Sequence, residues 1–126
     1  MAIPSGSGTE VLNRTTIKSQ STSQTAFRWD GTNATLATNS YTVPANHIIT
    51  VLSIVFTEQG GGTKTFELDA YDGSNSIALL QSQTISGFGT FVWNDKIVLR
   101  PSDKLLFTAS GSGIDAYCTF IDQDWS

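Results

Sequence analysis

The chain is short of charge. Only 14% of its 126 residues are Asp, Glu, Lys or Arg, where about a quarter is usual for a globular domain. Ser, Thr, Asn and Gly fill the gap, a composition that fits β-proteins better than helical bundles, whose surfaces run on Glu, Lys and Arg. Cysteine and histidine occur once each, as Cys118 and His47. One cysteine excludes a disulfide within the chain, and the pair cannot supply the roughly four N or S ligands of a zinc site. No segment approaches the ~18 consecutive apolar residues of a membrane helix, and residues 1–20 hold no apolar run of the kind a secretion signal needs. Neither a membrane nor a cofactor is therefore expected as a partner. The net charge is −4, with +1 on residues 1–57 and −5 on residues 58–126. No basic stripe is present, so nucleic-acid binding is not expected.

Sustained i, i+3, i+4 periodicity is also missing. What replaces it is alternation. His47 to Thr57 is dense in β-branched and aromatic residues, apolar on both strand faces, with Ile49, Val51 and Val55 on one and Ile48, Leu52, Ile54 and Phe56 on the other. After Gly60-Gly61-Gly62 the pattern becomes strict, with Phe66, Leu68 and Ala70 on one face and Thr65, Glu67, Asp69 and Tyr71 on the other. A period of two marks a strand, and two such runs across a short Gly-rich loop predict a β-hairpin. The doubly apolar first strand predicts a central position or an outer cover.

Further turns are written at Asp72-Gly73-Ser74-Asn75, Asn94-Asp95, Arg100-Pro101-Ser102-Asp103 and Gly111–Gly113, with Asp-Gly a strong hairpin signal. Leu105, Phe107 and Ala109, then Ile114, Ala116, Cys118 and Phe120, form the inward sets of the last two strands. Cys118 is thus expected to be buried and inert. About eight short strands at this spacing predict an all-β fold, an antiparallel two-sheet β-sandwich of jelly-roll type. More than half of residues 1–46 are Ser, Thr, Asn, Gly or Gln. Residues 1–25 are therefore expected as an extended N-terminal arm and residues 26–126 as the sandwich domain, with removal of Met1 to Ser19 leaving a folded protein. The isolated apolar residues of the arm, Ile3, Pro4, Val11, Leu12 and Ile17, are expected to touch a partner, together with the exposed-looking Trp125, since large aromatics are favoured interface anchors.

Chemistry is thinly represented. A Ser–His–Asp or Cys–His site would have to use His47, which sits at a strand start without a nucleophile-elbow motif. Asp69, Asp72, Ser74 and Ser76 are oxygen-rich enough to suggest calcium, but a hairpin turn accounts for them. Glu67/Asp69 and Asp122/Asp124 are paired carboxylates at i, i+2, a spacing shared with solvated strand faces. Gly60-Gly61-Gly62 lacks the Lys-Ser/Thr and the helix of a phosphate loop. Trp29, Trp93, Trp125, Tyr71 and Tyr117 offer a carbohydrate-stacking platform as one alternative. No catalytic, metal or cofactor residue is assigned, and an enzyme is not expected.

Several blocks carry a resemblance: Ile3-Pro4-Ser5-Gly6-Ser7-Gly8-Thr9-Glu10-Val11-Leu12, Thr42-Val43-Pro44-Ala45-Asn46-His47-Ile48-Ile49-Thr50, Phe91-Val92-Trp93-Asn94-Asp95-Lys96, Pro101-Ser102-Asp103-Lys104-Leu105, and Ile121-Asp122-Gln123-Asp124-Trp125. In these the chain resembles small β-sandwich structural proteins of tailed-bacteriophage virions, of the cyanophage head decoration (cement) type. The resemblance implies a non-enzymatic protein, made in the cytoplasm of a bacterial host. It would sit on the capsid surface, bind the major capsid protein or other virion proteins, and form a homo-oligomer, a trimer or a dimer. A tail, adaptor or fibre component of the virion is the alternative within the same resemblance.

Overall fold

The computed structural model describes residues 8–125, so Ile3 and Pro4 lie outside the described residues. Among the described residues nine strands form: β1 (Thr9–Gln20), β2 (Thr25–Ala26), β3 (His47–Glu58), β4 (Lys64–Tyr71), β5 (Ser76–Ile85), β6 (Thr90–Trp93), β7 (Ile97–Leu99), β8 (Lys104–Ala109) and β9 (Ile114–Asp124). They build two antiparallel sheets that pack against each other. The first runs β1-β9-β3, with β6 and β7 one after the other along the far edge of β3; the second runs β2-β8-β4-β5. β6 pairs with Ile54–Thr57 and β7 with Ile49–Val51, so the two are one strand broken by the Asn94-Asp95 turn. Eight strands in two four-stranded sheets is the jelly-roll form of the sandwich, as the sequence pattern predicts.

The expected hairpin between β3 and β4 does not form. β3 pairs with β6, β7 and β9, whereas β4 pairs with β5 and β8. The Gly-rich segment carries the chain across from one sheet to the other. Glu58 holds this crossing. Its side chain is fully buried, and its carboxylate accepts the amides of Gly60 (3.0 Å) and Gly61 (2.6 Å), the amide of Phe88 from the β5–β6 loop (3.3 Å), and the Lys64 ammonium. Gly61 takes φ +89, a conformation that favours glycine. The Asp72 turn, by contrast, is the β4–β5 hairpin. Asp72 N–H donates to the Asn75 carbonyl at 3.0 Å, while Asp72 Oδ1 accepts the amides of Ser74 (3.0 Å) and Asn75 (2.7 Å).

The double apolar face of β3 has a local cause. The register with β9 slips between Val51 and Ser53, a β-bulge that adds Leu52 and reverses the phase of the strand. Ile49 and Val51 ahead of it, and Ile54 and Phe56 after it, all end up fully buried on the inner face. Ile48, Leu52 and Val55 are only half-buried, so the strand has one core face rather than two.

The core between the sheets is aromatic. Phe27, Phe56, Phe66, Phe107 and Phe120 are all within 1% of full burial. Phe56 from the first sheet meets Phe66 and Phe107 from the second at centroid distances of 4.5 and 5.1 Å, and Trp29 stands edge-on to Phe120 at 5.0 Å. Such tilted and edge-on contacts add to the area term. The inward sets of β8 and β9 are as the alternation predicts, with Leu106 buried as well. Cys118 is fully buried, and that burial pushes its thiol upward, which leaves no nucleophilic thiolate.

Of the stretch expected as an arm, residues 9–20 form β1, a strand of this chain's own sandwich. Its register with β9 runs unbroken from Thr9↔Asp124 to Ile17↔Ala116. Thr15, Ile17 and Gln20 are buried in the core. Gln20 Nε2 donates to the Ser23 and Phe107 carbonyls (2.6 and 2.8 Å) and its Oε1 accepts from Thr25 Oγ1 (2.7 Å), which ties the first sheet to the second.

Candidate interaction surface

β1 is an outer strand, and its far side is only partly covered. The 31–34 segment covers its middle: Ala34 N–H donates to the Thr16 carbonyl (2.9 Å), Arg14 Nη1 to the Gly31 carbonyl (2.7 Å), and Thr16 Oγ1 to Asn33 Oδ1 (2.8 Å). From Thr9 to Asn13 the far edge has no backbone partner among the described residues. Val11 and Leu12 stand on this stretch at 52% and 69% exposure. β5 bounds the other sheet, but its register with β4 slips twice and Ser82 takes φ +52. Bulges of this kind twist an edge away from pairing. β1, in unbroken register with β9 from Thr9 to Ile17, keeps a straight edge that is open from Thr9 to Asn13.

The outer face of the first sheet continues from Leu12 in a cross-strand row. Leu12 lies opposite Ile121, Ile121 opposite Thr50, and Thr50 opposite Val98. Val98 is 62% exposed between the buried Ile97 and Leu99. The alternation of the strands makes this row: residues flanking an inward one point outward.

The residues expected to touch a partner do not all reach the surface. Val11 and Leu12 do. Ile17 is buried and offers no side chain to another molecule. Trp125 is half-buried; its amide donates to the Asn46 carbonyl (2.9 Å) and its ring crowds Gly8, where a Cβ would stand 2.9 Å from it. Strand alternation was the signal for Ile17: it shares the inward phase of Thr15.

The catalytic candidates separate. His47 Nδ1 lies 2.7 Å from Asp122 Oδ1, and Nε2 lies 3.6 Å from Asp124 Oδ1. Cys118 pairs with Ile54, and His47 with Asp124, so seven residues of ladder, roughly 23 Å at strand rise, divide thiol from imidazole. Asp122 and Asp124 are strand-face carboxylates beside His47. Glu67 accepts from Gln81 Nε2 at 2.8 Å, and Asp72 is occupied by its own turn. Among the described residues no group of three or more His, Cys, Asp or Glu could hold a metal.

The tryptophans build no platform. Trp29 is buried at 4% exposure. Trp93 packs against the core and donates Nε1 to the Asp95 carbonyl (2.7 Å). Trp125 lies at the His47 end of β3, whereas Trp93 pairs with Ile54. The feature that sequence reasoning missed is the row from Leu12 to Val98. No single strand carries it; it appears only when β1, β9, β3 and β7 are laid side by side.

Comparison of the sequence with known protein families and with curated proteins finds no match. Several solved structures resemble the chain. A subunit of Bacillus endospore appendages, a novel family of disulfide-linked pili, matches with a TM-score of 0.54 at 12% identity, covering 100% of this chain and 97% of that one. A chain of the acid-stable capsid of Helicobacter pylori bacteriophage KHP30 matches with a TM-score of 0.48 at 6% identity over 98% of this chain and 92% of the other. A chain of the virus-like particle of extra small virus from the prawn Macrobrachium rosenbergii matches with a TM-score of 0.47 at 7% identity over 100% and 85%. At 12% identity the likeness to the pilus subunit concerns the fold alone.

Proposed function

We propose that this protein is a non-enzymatic virion structural protein, a decoration protein that binds the major capsid protein of a tailed-phage head and stabilises it. The observation that carries the reading is the open edge of β1 from Thr9 to Asn13, which holds exposed Val11 and Leu12 and is continued by the outer row from Leu12 to Val98. An unpaired strand edge accepts a strand of another chain through main-chain hydrogen bonds, while alternate side chains supply specificity. Ile3 and Pro4, ahead of that edge, extend the proposed contact. The neighbouring pilus and capsid proteins fit a fold whose work is assembly. Linkage of copies by disulfides, named for the Bacillus pili, does not transfer, because Cys118 is buried. The scattered tryptophans remove the basis for the carbohydrate-binding alternative.

Copy number and position on purified particles test the reading. A head decoration protein is expected in hundreds of copies on the capsid surface, and a few copies at the tail would instead support a tail, adaptor or fibre component. Leu12→Lys places a charge in the middle of the contact on an exposed position. It is expected to fold as the wild type does and to weaken particle binding by about tenfold or more, the loss that marks a contributing interface residue. Undiminished binding by a folded Leu12→Lys protein removes the β1 edge from the contact.

A further inference from the structure

Phe88 is 74% exposed, yet it is firmly placed. It lies between Gly87 and Gly89 in the β5–β6 loop with φ +59, a conformation that a bulky residue adopts only when its surroundings impose it. Those surroundings are visible. Its amide donates to the buried Glu58 carboxylate (3.3 Å), Gly89 N–H donates to the Ser86 carbonyl (2.7 Å), and the Gly89 carbonyl accepts the Glu58 amide (3.0 Å). The ring lies over Gly61, where a Cβ would come within 2.8 Å of it. An exposed aromatic on such a constrained backbone has given up much of its freedom before any partner arrives, which lowers the entropic cost of binding.

At the same end of the first sheet is an open trough of about 560 Å³ whose walls include Thr16, Lys18, Val55, Thr57, Asp115 and Tyr117. Thr57 of the trough precedes Glu58, the residue that holds the Phe88 loop. Tyr117 is half-exposed and faces Val55 in register, with Val92 beyond. The rim is polar and already satisfied: Lys18 Nζ contacts Asp115 Oδ2 and Gln59 Oε1, both at 3.0 Å, and Gln59 Nε2 donates to Ser19 Oγ at 2.7 Å. An apolar floor inside a polar rim is the usual anatomy of a protein–protein contact.

Charge indicates where a second copy can meet the first. The chain carries −4 overall, and its acidic groups collect elsewhere: Glu10, Asp122 and Asp124 at the opposite end of this sheet, and Glu67, Asp69 and Asp72 on and after β4. Two copies meeting at those places would set like charges together, which opposes association. At the trough Lys18 and Asp115 neutralise each other, so a second copy approaches without that penalty. Projection and trough share one end of the sheet, so a two-fold contact can be built there in which each copy gives what it receives.

We propose that this end of the first sheet is a self-association surface, in which Phe88 of one copy enters the Val55–Tyr117 trough of a second copy and the second copy's Phe88 enters the trough of the first. The surface is separate from the β1 edge at Leu12 and does not depend on which larger assembly the protein joins. Sedimentation velocity over a dilution series tests it. The wild-type protein is expected to sediment as a dimer. Phe88→Asn, which keeps a residue tolerant of positive φ, and Tyr117→Lys, which charges the floor, are each expected to weaken dimerisation about 30-fold or more, as loss of a central aromatic does. Each variant is also unfolded thermally to confirm that it is folded. Leu12→Lys, at the other end of the sheet, is expected to remain dimeric even where it loses particle binding. A wild-type protein that stays monomeric at the highest concentration, or dimers that persist in either folded trough variant, overturns the proposal.

Discussion

Glu58 would rank low in any search for function, since nothing around it looks like a site: Thr57, Gln59 and three glycines. Yet it is a fully buried carboxylate that joins three segments of chain. The Lys64 ammonium holds its carboxyl well below the usual range, at about 2 against an ordinary 4.5; burial acts against this, and the Gly60, Gly61 and Phe88 amides reinforce it. A carboxyl whose folded-state value is depressed contributes stability that is complete above its unfolded value and is lost as pH falls through the folded one. Glu58→Gln removes the charge with little change of shape. At pH 7 it is therefore expected to unfold at a lower urea concentration than the wild type, and the difference is expected to shrink between pH 4.5 and about 2 as the wild-type carboxyl is protonated. Urea midpoints for both proteins at several pH values check this, and a difference that stays constant to acid pH would show that Glu58 acts through shape and not charge.

β3 makes the corresponding point for a strand. Its bulge at Leu52 places two apolar pairs of opposite parity, Ile49/Val51 and Ile54/Phe56, on a single core face. Deleting Leu52 restores an even register and keeps both pairs inward, because Ser53 then follows Val51 directly, opposite Thr119 and Phe120. The deletion is therefore expected to cost less than Phe56→Ala, about 3–5 kcal/mol for a buried phenylalanine. Leu52→Ala keeps the extra residue and is likewise expected to cost less, since Leu52 is only half-buried. Urea unfolding of the three variants ranks them. The same strand shows what the sequence could and could not disclose. Alternation identified the inward residues of β4, β8 and β9 residue by residue, because these strands have one core face in constant phase. It gave β3 two core faces, because a bulge leaves no residue-type signature in a run of Ile, Val and Leu. It read Gly60-Gly61-Gly62 as a hairpin because a short loop between strands looks alike whether it turns within a sheet or crosses between sheets. What decided the matter was Glu58 turned inward, a burial that composition does not disclose. The open edge and the outer row were hidden for a related reason: both depend on which strands become neighbours.

In the whole molecule, the chain alternates between sheets at almost every connection, and β4–β5 is the one continuous hairpin among the described residues. Every outer strand but β5 is therefore held by partners distant in sequence, and β1 is the clearest case: it pairs with β9, nearly the whole chain away. This bears on where the protein can be cut. Sequence composition suggested that residues up to Ser19 could be removed without loss of the fold. The sandwich contradicts that boundary, because Thr15 and Ile17 are buried in the core and β9 would lose its partner along the whole length of β1. Loss of Ile17 burial alone is worth about 2–5 kcal/mol, and the uncovered inner side of β9 adds to it, against a total stability of about 5–15 kcal/mol for a domain. A protein beginning at Gln20 is accordingly expected not to unfold cooperatively, whereas one beginning at Gly8 is expected to keep the wild-type unfolding midpoint. On particles, the Gly8 form separates the two parts of the proposed contact. Reduced attachment with an intact fold assigns binding to the segment holding Ile3 and Pro4, and full attachment assigns it to the β1 edge at Val11 and Leu12. A Gln20 form that melts like the wild type would show that β1 is an appendage of the sandwich and not one of its strands.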